Sequence, residues 1–404
     1  MTSTAPHQRT RQDRCPGALA LHEAADGWLA RVRVPGGRLS ARALLALAGL
    51  SEQLGNGLVD LTARANLQLR GLAHDAARAL APQLETVGLL PSLSHDRARN
   101  VLASPLAGRA PAALDDVDAV VALLDSEVSV TQLLSELPGR FCFLVDDGTG
   151  VGREIGPDVT VVARGEGRFG VALDGRALQF EGDSLAAVHV ALRAAGAFVL
   201  ARGDAWRLSE TPGGPATIAS ALGLTLARTT RAARTRGVDP GVVEQRDGRM
   251  ALTALVPLGQ LSPPLLRALA AVSDDVRLST RRTVTLVDLD PSAVAAARDA
   301  LAATQLVLDG ASGWVGLTAC AGTAGCARAL ADVRAAAARR AQTRAASDPA
   351  EHWAACERRC GEVRGTPVAV AVRAAGDVEV RADARTSVVP SLQDASDLLR
   401  ESAR

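Results

Sequence analysis

The residues with the most chemistry to offer are four cysteines near the C-terminus: Cys320 and Cys326 in TACAGTAGC, then Cys356 and Cys360 in HWAACERRC. Their spacing is C-x5-C, a gap of about thirty residues, then C-x3-C. Four thiolates brought to one site hold either a zinc ion or an iron–sulfur cluster. Structural zinc sites use tighter C-x2-4-C knuckles, so the longer arm fits zinc poorly. Small neighbours (Ala319, Ala321, Gly322, Thr323, Gly325) let backbone amides approach cluster sulfides and tune their potential. The plainer alternative is four unrelated buried thiols. With only 6 Cys in the chain, four of them paired this way, a shared metal centre is the better account.

A second set of functional types lies far upstream, in LTARANLQLRG (Leu61–Gly71). On a strand Arg64, Asn66, Gln68 and Arg70 share one parity and point to one face. Arginine forks aimed one way suit carboxylates or other anions; a solvated strand face would explain the parity equally well. Gly165-Glu-Gly167-Arg-Phe-Gly170 spells G-x-G-x-x-G, but VALDGRALQF follows it and alternates like a strand. A dinucleotide site needs a helix there, so a β-turn is expected.

The elements that must position these groups are written twice. DGWLARVRVPGGRLSARALLALAGLSEQL and GLVDLTARANLQLRGL (Asp26–Leu72) are matched by DGRMALTALVPLGQLSPPLLRALAAV and SDDVRLSTRRTVTLVDL (Asp247–Leu289). Each copy gives an Asp-Gly start, a strand, a Gly turn, a capped helix and a second strand. Ser40 and Ser262 stand at N-cap positions, and Pro263 and Pro264 suit a first helical turn. Later segments rhyme too, with a helix expected near Ser184–Ala195, an Ala/Arg helix around Ala327–Ala345 and a hairpin around Ala374–Asp377. Two αβ halves in a pseudo-two-fold relation follow, with a linker near Gly223–Asp239.

At 404 residues the chain can hold several domains and a large core. A net charge of +1 gives the whole molecule no electrostatic reason to seek nucleic acid or a membrane surface. There is no lysine and no tyrosine; every non-histidine cation is arginine, a bias that a GC-rich coding background would produce. The first seventeen residues are polar and basic, unlike a secretory signal. No uncharged apolar run of about 18 residues is present. A reducing, cytoplasmic setting is therefore expected, in which clustered cysteines bind metal in preference to forming disulfides.

Together these features resemble the nitrite/sulfite reductase superfamily, whose [4Fe–4S] ligands follow C-x5-C…C-x3-C and whose T-x-R-x-x-x-Q strand faces a tetrapyrrole. HDRARNVLASPLAG resembles its D-x-x-R-N…S-P-x-x-G segment at Asp96, Arg99, Asn100, Ser104, Pro105 and Gly108. LPGRFCF (Leu137–Phe143) resembles its L-P-R-K-F-K, with Arg140 and Cys142 where the reductases carry two lysines. CPG (Cys15–Gly17), PGRF (138–141) and Asp146-Asp147-Gly148 resemble the precorrin-3B synthase branch. There the second cysteine pair is usually H-x-S-G-C-x-K-G-C-A. Here His352 and both cysteines are kept, but Ala355 replaces Gly and the interior is heavily charged.

The resemblance implies a fold of two halves, each a ferredoxin-like half-domain followed by a reductase-type αβ domain. The expected boundaries are 15–80, 90–225, 240–305 and 310–404. It implies a [4Fe–4S] cluster on Cys320, Cys326, Cys356 and Cys360. Tetrapyrrole carboxylates would lie on Arg64, Asn66, Gln68, Arg70, Arg99, Asn100 and Arg140. The branch reaction hydroxylates precorrin-3A at C20 with O2 and closes a ring A γ-lactone. It calls for an oxygen-activating iron, expected to be mononuclear and non-haem, and a separate electron-donor protein fed by NADH. The alternatives are a sirohaem-dependent nitrite or sulfite reductase, with Cys360 bridging cluster and sirohaem, and a non-enzymatic tetrapyrrole or electron carrier.

Overall fold

The computed structural model describes residues 15–227, 237–363, 365–382 and 385–402, so most of the expected linker lies outside the described residues. The first half runs β1 (His22–Ala24), β2 (Gly27–Val32), β3 (Arg38–Leu39), α1 (Ala41–Leu54), β4 (Val59–Leu61), β5 (Leu67–Leu72) and α2 (Ala77–Thr86). It continues through β6 (Val101–Ala103), α3 (Asp118–Val130), β7 (Phe143–Asp146), β8 (Val159–Gly165), β9 (Arg168–Leu173), β10 (Arg176–Gly182), α4 (Ser184–Ala201) and α5 (Gly214–Ala221). The second half repeats the series as β11 (Gly241–Glu244), β12 (Met250–Leu255), β13 (Gln260–Leu261), α6 (Pro263–Val272), β14 (Val276–Leu278), β15 (Thr283–Leu289) and α7 (Val294–Ala302). It ends with β16 (Leu317–Ala319), α8 (Val333–Ala341), β17 (Glu351–Ala354), β18 (Val368–Val372), β19 (Val378–Ala382), β20 (Arg385–Val389) and α9 (Leu392–Ser402).

The two ferredoxin-like sheets exchange their edge strands. One has the order β1-β2-β5-β4-β13 and the other β11-β12-β15-β14-β3. Each half thus lends a two-residue strand to its partner, pairing Gln260 with Asp60 and Arg38 with Arg277. Helices α1 and α6 pack together, and one apolar core, from Leu44 and Leu47 to Leu266 and Leu269, spans both halves. Ser40 caps α1 by accepting from the Ala43 amide; Ser262 stands at the N-cap of α6 without a side-chain bond.

The turns within the repeats match in detail. Thr62–Asn66 and Ser279–Thr283 both close on a hydroxyl: Thr62 Oγ1 accepts from the Arg64 and Asn66 amides, and Ser279 Oγ from those of Arg281 and Thr283. Ala65 and Arg282 occupy the same left-handed position, at φ 51° and 59°. This turn corrects the expected continuous strand from Leu61 to Gly71. Arg64 sits in the turn, while Gln68 and Arg70 lie on β5 beyond it.

The remaining two sheets also share one topology. In β10-β9-β8-β7-β6 and β16-β17-β18-β19-β20, three strands are parallel and the last two return antiparallel. Gly165–Gly170 forms the expected β8–β9 hairpin. Helix α8 begins at Val333, later than expected, because Asp332 caps it and the residues after Cys326 form turns. Helix α4 is long and apolar enough, by length and composition alone, to cross a membrane; here its buried face packs on β8, β9 and α3.

Candidate functional site

All four cysteines lie at the C-terminal ends of the parallel strands of the last sheet, where open α/β sheets bind ligands. Cys320 follows β16 directly, and Cys356 and Cys360 follow β17. The first half carries Ser104 and Asp146-Asp147-Gly148 at the same places, so the cysteines distinguish one half from the other. Burial pushes the Cys360 thiol up, and Cys320, Cys356 and Cys326 push it further, so the four sulfurs share one neighbourhood. Cys320 Sγ accepts the Ala355 amide at 3.2 Å, the kind of bond that favours thiolate. Among the described residues no three His, Cys, Asp or Glu side chains gather closely enough for a single metal ion. Four thiols at the ends of two neighbouring parallel strands are the donor type that a polynuclear iron–sulfur cluster takes.

The departures in the second cysteine arm are accommodated. Ala355 is buried, and Arg359 turns away to Glu379 on β19 at 2.6 Å. Glu357 and Arg358 face solvent. Behind the arm, Glu351 accepts from Arg340 at 2.8 Å, Arg344 at 3.2 Å and Trp353 Nε1 at 2.9 Å, all buried. That network ties α8 to β17 and so fixes where both cysteine arms emerge.

The first half grips the C-x5-C loop. Arg70 pairs with Asp26 at 2.9 Å and donates to the Gly325 carbonyl. A methyl on Gly325 would lie 2.4 Å from Arg70 Nη2, so a larger residue there would have to displace that guanidinium. Arg334 on α8 donates to the Cys320 carbonyl at 3.2 Å and pairs with Asp60 on β4, also at 3.2 Å. Nearby, His352 Nδ1 meets the Thr318 hydroxyl at 2.9 Å, and its ring is buried against the Cys360 backbone. Burial, then the charge of Arg282, pushes His352 down to about 3.

A separate cationic pocket lies at β2, β5 and the loop before β7. Arg31 donates to Gln68 Oε1 at 2.6 Å and to Cys15 Sγ at 2.9 Å. Arg33 reaches Asn100 Oδ1 at 3.2 Å and the Gly139 carbonyl at 2.8 Å, with Cys15 Sγ 4.0 Å away. Arg64 donates to the Arg140 carbonyl at 3.2 Å, and the Arg140 side chain stacks on Trp206. Burial pushes Arg33 down to about 10; the Cys15 thiol opposes this, and Arg31 and Arg64 add repulsion. Burial likewise lowers Arg64. Several guanidiniums pressed together in this way favour an anion among them.

Of the residues singled out from the sequence, Arg64, Gln68 and Arg140 meet in this pocket, together with Cys15. Asn100 holds Arg33 from beneath, with Asn66 behind it, and the remaining arginines are engaged elsewhere. Arg70 faces the cysteine loop. Arg99 is tied to Asp125 by two 2.8 Å bonds and to the Leu89 carbonyl. Asn100 and Asn66 are fully buried pins, joined at 2.8 Å and bonded to Phe141 and Val34 backbone groups. Arg31 and Arg33 join the pocket from the end of β2, where their alternation in ARVRV puts both side chains on one face.

Residues 22–87 and 243–304 match the family described as the nitrite/sulfite reductase ferredoxin-like half domain. A precorrin-3B synthase from a Sinorhizobium species is 31% identical over 138 residues, 34% of this chain and 29% of that protein. A ferredoxin–nitrite reductase from Synechococcus elongatus is 36% identical over 127 residues, 30% of this chain and 25% of that protein. Another, from Leptolyngbya laminosa, is 36% identical over 83 residues, 20% and 16% of the two chains. Each match therefore spans less than a third of the relative's own length. The solved Mycobacterium tuberculosis NirA protein has the same fold, with a TM-score of 0.76 over 93% of this chain and 80% of that one at 18% identity. Two segments of the chain thus match the nitrite/sulfite reductase ferredoxin-like half domain, and the chain shares its fold with that solved protein.

Proposed function

We propose that the protein is a precorrin-3B synthase-like monooxygenase of aerobic cobalamin biosynthesis, hydroxylating precorrin-3A at C20 with O2 and forming the ring A γ-lactone. The observation that carries this reading is the chemistry of the cationic pocket. Arg31, Arg33 and Arg64 clamp anions well but stay protonated and give protons up poorly. Cys142, which stands where the resembling reductases have a lysine, is fully buried in the core. Burial pushes its thiol up to about 11, so it stays neutral and adds no charge to hold a small oxyanion. Such a pocket suits the carboxylates of a macrocycle held as substrate. The relative named precorrin-3B synthase supports the same reading.

Cys320, Cys326, Cys356 and Cys360 would hold the [4Fe–4S] cluster, which supplies single electrons when bound. Because Gly165–Gly170 is a hairpin, the reading takes those electrons from a separate donor protein fed by NADH. The residues present do not assemble an evident site for a mononuclear non-haem iron among the described residues, so no step is assigned to one. We place the protein in the reducing cytoplasm, with no nucleic-acid or membrane partner.

A second reading, a sirohaem-dependent nitrite or sulfite reductase with Cys360 joining cluster and sirohaem, draws on the two nitrite reductase relatives. Turnover of precorrin-3A with and without oxygen, beside a sirohaem assay, separates the two. An oxygen-dependent hydroxylated product is expected. Stoichiometric sirohaem with nitrite or sulfite reduction would overturn the reading, and cluster content without turnover would point to a carrier.

A further inference from the structure

Arg282 poses an electrostatic problem that its protein neighbours leave unsolved. The residue is 8% exposed, and among the described residues no hydrogen bond or ion pair engages its guanidinium. The facing carboxylate is Asp60, which already serves Arg334 at 3.2 Å and lies 3.9 Å from Arg70. Three guanidiniums thus gather about one carboxylate, with Asp26 occupied by Arg70. A buried, uncompensated cation costs several kcal/mol, so a counter-charge is called for.

The geometry shows where that charge belongs. A methyl on Gly361 would sit 3.6 Å from Arg282 Nη2 and 3.4 Å from His352 Cε1. Gly361 follows Cys360 directly and has φ +91°, a conformation that suits glycine. The guanidinium therefore borders the second cysteine arm, beside the His352 ring. Four thiolates around a [4Fe–4S] core make a net anion that gains one further negative charge on reduction. In the first half the corresponding turn position is Ala65, at φ 51°. An arginine here is thus not demanded by the turn, and it occurs in the half that carries the cysteines.

We propose that Arg282 is the buried counter-cation of the iron–sulfur cluster and raises its midpoint potential by favouring the more negative, reduced state. This inference rests on the cluster assignment above but not on the choice between oxygenase and reductase. Arg282 acts as a positioning charge and touches no substrate.

The test is a redox titration of the cluster-loaded full chain, followed by electron paramagnetic resonance without substrate. Wild type is compared with Arg282→Ala, which restores the residue of the first repeat, and with Arg282→Lys, which keeps the charge. At a fixed applied potential the reduced-to-oxidised ratio should fall about tenfold in Arg282→Ala, equivalent to about 59 mV for one electron. Arg282→Lys should stay near wild type. If Arg282→Ala loses the cluster while Arg282→Lys keeps it, the counter-charge role is also upheld. A loaded Arg282→Ala protein with unmoved potential overturns the proposal alone, as does loss of the cluster from both variants. A wild-type chain that takes up no cluster overturns the cluster assignment as well.

Discussion

Cysteine and serine differ little in size but greatly in affinity for iron, which makes Cys356→Ser a clean probe of the site. The variant should lose most cluster iron and acid-labile sulfide, measured chemically and by visible absorption, while its circular dichroism stays close to wild type. Full cluster content would remove Cys356 from the ligand set. The arginines divide by what they already hold. Among the described residues the Arg64 guanidinium donates to a backbone carbonyl at the pocket, whereas Arg99 is spent on Asp125. A charge-assisted contact is worth roughly 1.5–3 kcal/mol, so Arg64→Ala should weaken precorrin-3A binding by about ten- to hundredfold. Arg99→Ala should lower the melting temperature instead, with affinity little changed. Equal binding by wild type and Arg64→Ala, followed by absorbance titration, would move the pocket elsewhere.

At the scale of elements, the exchange of β3 and β13 depends on two glycines that face each other's half. Gly37 and Gly259 have φ +70° and +75°, and a methyl on either would lie 2.3 Å from the Leu278 carbonyl or 2.6 Å from the Leu61 carbonyl. Leu278 and Leu61 hold the same place in the two repeats. Gly37→Ala should therefore cost about 2–4 kcal/mol through backbone strain and displaced strand pairing. Denaturant unfolding would show it, and an unchanged midpoint would mean that the exchanged strand tolerates the methyl. The Glu351 network does comparable work for α8 and β17. Glu351→Gln leaves Arg340 and Arg344 buried without their anion and should cost about 3–5 kcal/mol. Because both cysteine arms leave from that sheet, reduced cluster occupancy should accompany the loss.

For the whole molecule, the two halves are joined by charge as well as by their shared core. Asp118 on α3 accepts from Arg277 on β14 at 2.7 Å and from Arg109 at 3.0 Å, and Arg109 continues to Asp288 at 2.8 Å. Burial alone would raise the Asp118 carboxyl, but Arg277 and Arg109 hold it below the usual carboxylate range. A folded value below the unfolded one stabilises the protein above about pH 4, and the benefit fades as pH falls through the folded value. Asp118→Asn should accordingly be less stable at neutral pH and show a flatter acid limb in urea unfolding measured at several pH values. Curves that stay parallel down to the lowest pH would show that the pair contributes nothing to acid sensitivity.

The duplication was legible in the sequence because each copy carries its own local signals: Asp-Gly starts, glycine turns and serines at N-cap positions act over a few residues and need no partner. The cysteine set stands out in the sequence for a similar reason, since spacing along the chain limits which metal centre four thiols could form. What the chain order could not show is which half supplies each neighbour. The swap of β3 and β13 joins segments two hundred residues or more apart, and backbone pairing carries no sequence label that identifies its partner. The fate of the arginines was decided in the same way. Arg64, Arg70 and Arg99 are chemically alike, and only the folded placement of Arg140, Gly325 and Asp125 separates an open fork from an occupied one. Arg282 makes the point most sharply. In sequence it is one of two adjacent turn arginines, and its burial beside Cys360 exists only because the tertiary fold lays the β14–β15 turn against the cysteine arm.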